Sequence, residues 1–103
     1  MENTVKRSDN TAAHIAKLNA AFMSILSFTD CSYGNDESDS CESEFKGIRL
    51  QVFLPNPTQK SFNNFIVKID EDDSYYLSND KSEDAFNTIE ETIQIINSYI
   101  LSH

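Results

Sequence analysis

The 103-residue chain is long enough for one domain with one modest core, and its 39% hydrophobic and 24% charged residues suit a globular protein rather than a membrane-embedded or unstructured one. The net charge is −9 and unevenly placed: residues 30–44 hold six acids and no base, and residues 70–84 hold seven acids and one lysine, which leaves the remainder slightly basic. Such a surface repels nucleic-acid phosphate and anionic lipid, so direct nucleic-acid binding is excluded as an expectation and a basic protein is the natural partner.

Residues 1–9, MENTVKRSD, read as a flexible N-terminal arm, and residues 10–103 as a single domain. Asp9, Asn10 or Thr11 can cap a helix, because each offers a side-chain oxygen to a free N–H of the first turn. Ile15, Leu18, Phe22 and Ile25, with Leu26 alongside, then recur at helical spacing to about Ser27. The run AAFMSILSF follows three basic residues, yet it continues the amphipathic pattern around His14 and Asn19 and leads to no small-residue cleavage site. With no run of about 18 apolar residues, the expectation is an intracellular, cytoplasmic protein with reduced cysteines.

The next stretch, FTDCSYGNDESDSCESEF, carries no hydrophobic period of either kind and reads as a mobile acidic loop at about 29–45. It holds Cys31 and Cys41. Structural zinc needs four Cys or His ligands in closely spaced pairs, and the two histidines, His14 and His103, lie far off in the sequence. Neighbouring carboxylates disfavour a thiolate, so a nucleophilic cysteine is not expected either. Neither acidic stretch has the calcium-loop spacing of alternating Asp/Asn with a glycine and a distal Glu.

Ile48, Leu50, Val52 and Leu54 alternate with Arg49, Gln51 and Phe53, the pattern of a half-buried strand ended by Pro55 and Pro57. After the loop 55–61, FNNFIVKID predicts a second strand with Phe65, Val67 and Ile69 on one face; EDDS is a turn and SYYLS a short third strand. In DKSEDAFNTIEETIQIINSYILSH, Asp80 and Glu83 have capping-box spacing and Phe86, Ile89, Ile93, Ile96 and Ile100 mark one helix face. The expected fold is α+β: a two-layer sandwich, α-β-β-β-α, with a three-stranded antiparallel meander covered by two helices. The helices' narrow apolar stripe also permits a helix-mediated dimer, although packing on the sheet is its more natural use.

Catalysis finds no constellation. There is no nucleophile elbow, and a chain with only Gly34 and Gly47 has no phosphate-binding loop. No enzyme activity, cofactor or metal is therefore expected. The remaining class is protein recognition, by the carboxylates Asp36, Glu37, Asp39, Glu42, Glu44, Asp70, Glu71, Asp72 and Asp73 together with Phe53, Ile66 and Tyr76, which occupy the strand phase opposite the core. The leading expectation is a small acidic module that neutralises a basic, nucleic-acid-acting target by occlusion, its carboxylates standing in for phosphates. In that style it is similar to toxin immunity proteins and anti-CRISPR inhibitors. The stretch GIRLQVFLPNPTQKSFNNFIVKIDEDDSYYLS between two helices also resembles the strand-loop-strand-turn-strand rhythm of RWD-like kinetochore domains, which implies a subunit of a larger assembly. A third likeness, to small acidic α/β secretion chaperones, implies a binding protein of another kind.

Overall fold

The computed structural model describes residues 7–23, 25–31, 39–55, 64–78 and 84–102. Helix α1 (Arg7–Ala21) is followed by strands β1 (Thr29–Asp30), β2 (Ser40–Phe45), β3 (Ile48–Phe53), β4 (Ile66–Asp70) and β5 (Tyr75–Tyr76), and then helix α2 (Ile89–Leu101). The strands form one antiparallel sheet in sequential order, β1-β2-β3-β4-β5. The α+β class and the flanking helices are as expected. The meander is wider, with five strands among the described residues rather than three.

The largest addition is β2. The segment 29–45 reads as a mobile loop, yet Ser40–Phe45 pairs residue for residue with β3, from Ser40 opposite Phe53 to Phe45 opposite Ile48. The connection is the two-residue turn Lys46-Gly47, with both φ positive, at 52° and 81°. That backbone follows the twist of the flanking strands, and glycine adopts it without the Cβ clash that other residues meet. β2 puts Cys41, Ser43 and Phe45 on the core side and Glu42 and Glu44 on the other. One large hydrophobe in six residues is too little to announce a strand from composition.

The core lies between the sheet and both helices. Cys41, Leu50, Val52, Val67 and Ile69 are buried on one sheet face, against Leu18, Phe22, Leu26 and Phe28 from the first helix and its exit, and Ile89, Ile96 and Tyr99 from α2. Period-two alternation in β3 and β4 and period-3.6 alternation in the helices therefore point at one shared layer.

The helix boundaries differ from expectation for identifiable reasons. α1 begins at Arg7, inside the expected arm, and ends at Ala21. Asn10 and Thr11 do not cap it. They sit within its first turns and reach sideways, the Asn10 amide donating to the Pro55 carbonyl (3.0 Å) and the Thr11 hydroxyl to Asp39. Beyond Ala21 the chain turns back, and the Asn19 side chain grips both backbone groups of Phe28, accepting from its N–H (2.6 Å) and donating to its carbonyl (3.1 Å). This turn buries Leu26 and leaves Ile25 half exposed, the reverse of a continued helix through Ile25.

α2 starts at Ile89, with Thr88 as N-cap accepting from the Glu91 N–H at 3.1 Å, and Glu90 and Glu91 in the first turn, where the helix dipole favours anions. Phe86, expected on this helix, instead exchanges two backbone hydrogen bonds with Phe65, each 2.8 Å, and extends the sheet edge. The expected capping pair Asp80 and Glu83 lies outside the described residues, as do residues 56–61 of the expected loop 55–61.

Candidate interaction surface

Because both helices pack on one face, the opposite face of the sheet carries no helix among the described residues. The strand register arranges it in rows. Glu44, Arg49 and Asp70 form one row, Glu42, Gln51, Lys68 and Tyr76 the next, and Ser40, Phe53 and Ile66 a third. β4 runs antiparallel to β3, so the Lys46-Gly47 turn and the turn Glu71–Ser74 lie at the same end of the sheet. Acids gather at that end. The apolar pair Phe53–Ile66 lies four residues away along β3, about 13 Å at strand spacing.

The carboxylates singled out from sequence are not equivalent. Asp39 is buried at 8% exposure and accepts from Thr11, while its own carbonyl accepts from the Leu54 N–H at 2.8 Å. It joins α1 to the sheet, and its burial withdraws it from the surface at which it was expected to meet a partner. Glu42 and Asp70 are spanned by Arg49, whose Nε donates to Glu42 and whose Nη1 donates to Asp70 Oδ2 at 3.0 Å. Lys68 Nζ lies 3.9 Å from Asp70 Oδ1. These pairs are solvent-accessible, so each adds no more than about 1 kcal/mol of stability, but they offset negative charge that a cationic partner would meet. Hydrogen bonding to Glu42, ahead of that to Asp70, holds the Arg49 guanidinium above its usual pKa.

Glu71 receives the Tyr99 hydroxyl at 2.9 Å and the Tyr75 hydroxyl at 3.4 Å, tying the acidic turn to the end of α2. Burial, and then the neighbouring Glu71 carboxylate, push both phenols upward, so they remain donors. Glu44, Asp72 and Asp73 are exposed. Asp36 and Glu37 lie outside the described residues. Phe53 and Ile66 face each other directly and are half-buried, and Tyr76, 48% exposed, stands opposite Lys68. Arg49, Gln51 and Lys68, at the centre of this face, are the residues that sequence reading passed over; their shared strand phase with Phe53 and Ile66 was the available signal.

The two cysteines are both free, and they take opposite sides of the sheet. Cys31 donates its backbone N–H to the Ser40 carbonyl and sets its sulfur 3.2 Å from Ser40 Oγ, with Gln51 Nε2 at 3.8 Å, on the open face. Cys41, the next position along β2, points into the core, where burial, and then the nearby Cys31 and Asp30, raise its pKa far above that of a free thiol. Opposed directions preclude a disulfide in this geometry.

Elsewhere, a shallow depression of about 420 Å³ is lined by Ile25, Leu26, Ser27, Ser43 and Glu44. Among the described residues, no three His, Cys, Asp or Glu side chains gather as a metal site, and no helix is long and apolar enough to cross a membrane.

His14 is half-buried on α1. Its ring meets Phe65 edge-on at 5.0 Å between centroids, and its buried Nδ1 has no hydrogen-bond partner among the described residues. Desolvation, and then the charge of Lys17, lower its pKa, so the fold holds the neutral ring. Because the folded pKa lies below the unfolded one, this stabilisation is full above about pH 6.5 and is lost as the pH falls through the folded value. Urea midpoints at pH 7 and pH 5 should therefore drop further for the native protein than for His14→Gln. Equal drops would show that His14 contributes nothing to acid sensitivity.

Comparison of the chain with protein-family models, with curated proteins and with solved structures finds no match. The fold and its open face thus define a class by geometry alone: a two-layer α+β meander with one sheet surface bare of helix among the described residues.

Proposed function

We propose that this is a non-enzymatic binding module that inhibits a basic, nucleic-acid-acting protein by covering its cationic surface. The observation that carries the reading is the sheet face left open by both helices, with exposed carboxylates at one end and Phe53, Ile66 and Tyr76 along the rest. Glu44, Asp72 and Asp73 supply the outward charge that steers the encounter, and the aromatic and aliphatic side chains supply the buried anchor. A standard interface of about 800 Å² per partner is wide enough to span both ends. Glu42 and Asp70, already matched by Arg49, contribute register more than attraction.

The test is capture of the partner from the native host, followed by affinity measurement with the purified pair from about 50 mM to about 0.5 M salt, a range over which screening shortens severalfold. Affinity should fall by at least about tenfold, and the triple variant Glu44→Lys, Asp72→Lys, Asp73→Lys should lose a similar factor at low salt only. A partner held equally at both salt concentrations would overturn the charge-driven reading. That outcome would favour the second reading, a subunit of a larger assembly docked through the apolar part of the face. The neutralisation of Glu42 and Asp70 supports this alternative, and under it Phe53→Ser with Tyr76→Ser would abolish binding.

A further inference from the structure

The last strand of the sheet has a backbone edge that receives no further strand among the described residues. Leu77 donates its N–H to the Val67 carbonyl at 2.9 Å, so the backbone groups of residue 77 face β4. Strand backbones alternate, and the N–H and C=O of Tyr76 therefore face away from the sheet. β5 is the terminal strand, and its two side chains, Tyr75 at 39% and Tyr76 at 48% exposure, flank that edge on either side. Glu71, Asp72 and Asp73, all exposed, precede it with only Ser74 between.

We propose that the outer edge of β5 receives an extended cationic segment of the partner protein, which adds to the sheet as a further strand. This rests on the partner being basic, as argued above. An edge strand is a template for any passing chain, and the flanking charge decides which chain is accepted. Three consecutive acids in a protein of charge −9 repel a second copy of this chain and attract a strand rich in Lys or Arg. Main-chain hydrogen bonds give such an added strand its affinity, and alternate side chains give it specificity. The two tyrosines supply aromatic faces for the stems and charged heads of the incoming residues. The other sheet edge, β1, is less available because α1 packs beside it.

The probes are two octapeptides of equal charge, one alternating lysine with valine and one of the same sequence with every backbone nitrogen methylated. Only the first has N–H groups to donate to the edge, whichever alternate set of residues faces it. Added to the isotope-labelled full chain, the lysine–valine peptide should shift the amide signals of Tyr75, Tyr76 and Leu77 and slow exchange of the Tyr76 amide. The N-methylated peptide should bind at least about tenfold more weakly. Tyr76→Pro removes an outward N–H that the internal ladder does not need, and edge strands tolerate it. It should weaken the lysine–valine peptide by about tenfold more than Tyr76→Ala, which keeps the N–H. If Tyr76→Pro fails to fold, protection of the Tyr76 amide in the native protein decides the matter.

Equal binding of both peptides, equal effects of the two variants, absent protection at Tyr76, or no binding at about 1 mM, where even a contact of roughly 4 kcal/mol would register, would each overturn the proposal. Salt-insensitive binding of the natural partner would instead sink the basic-target reading and leave the peptide result standing. A salt-sensitive partner beside an inert edge would sink only the edge.

Discussion

Leu50→Ala is expected to destabilise the protein by about 3 kcal/mol, within the roughly 2–5 kcal/mol that leucine truncation costs in a sealed core. Leu50 is fully buried at the middle of β3, between Ser43 on β2 and Ile69 on β4, within the core cluster that the helices share. Its loss removes apolar burial and leaves a void that the two flanking strands cannot close without breaking register. A 103-residue domain holds about 5–15 kcal/mol in all, so the melting temperature should fall by roughly 15 °C. Phe53→Ala, three residues on and facing the opposite side, should cost about 1 kcal/mol, the scale of one cross-strand pair with Ile66. Urea denaturation of both variants checks the assignment of the two faces. Equal losses would mean that the open face is as deeply packed as the core, and the interaction surface would have to be sought elsewhere.

Thr11→Val should cost about 2 kcal/mol, the range for losing a hydrogen bond to a charged group out of water. The Thr11 hydroxyl and the Asp39 carboxylate are both buried, at 2% and 8% exposure, and they bridge α1 to the entry of β2 across 28 positions of sequence. Valine fills the same space and removes only the donor, so the effect isolates the hydrogen bond from packing. Thr11→Ser keeps the hydroxyl and should recover most of the loss. A Thr11→Val protein within about 0.5 kcal/mol of the native one, the usual scatter of surface substitutions, would show that Asp39 is satisfied without Thr11. Because Asp39 is structural, its substitution should lower partner affinity only as far as it lowers the folded fraction, whereas charge reversal at Glu44, Asp72 and Asp73 should act on affinity with the melting temperature nearly unchanged.

The parts of the molecule written into the sequence are those where a side chain's own polarity states its environment. Ile48, Leu50, Val52 and Leu54 alternate with polar neighbours because β3 is dry on one face and wetter on the other, and Phe65, Val67 and Ile69 do the same for β4. The helix stripes through Leu18 and Phe22 and through Ile89 and Ile96 are legible for the same reason. The placement of Phe53, Ile66 and Tyr76 opposite the core follows from that phase alone, and the strand register agrees. Strand β2 was not legible. Its contribution is mainly the backbone ladder to β3, which leaves no mark on composition, and its core face is Cys41, Ser43 and Phe45. The Lys46-Gly47 pair was the one local signal of its turn.

The chain's own sequence determined the α+β class, the two dry helix faces, the phase of β3 and β4 and the strongly negative charge, because these depend on side-chain polarity and on contacts a few residues apart. Tertiary structure alone decided which of two similarly spaced capping pairs starts α2, since Phe86 is held in the sheet by Phe65 and the helix can form only after it. It also decided the fate of each carboxylate. Asp39 is buried by a helix 28 positions away, Glu42 and Asp70 are matched by Arg49 across the sheet, and Asp72 and Asp73 are left to solvent. A carboxylate's chemistry is the same at every position, and only the groups that folding brings around it set whether it holds the protein together or faces a partner.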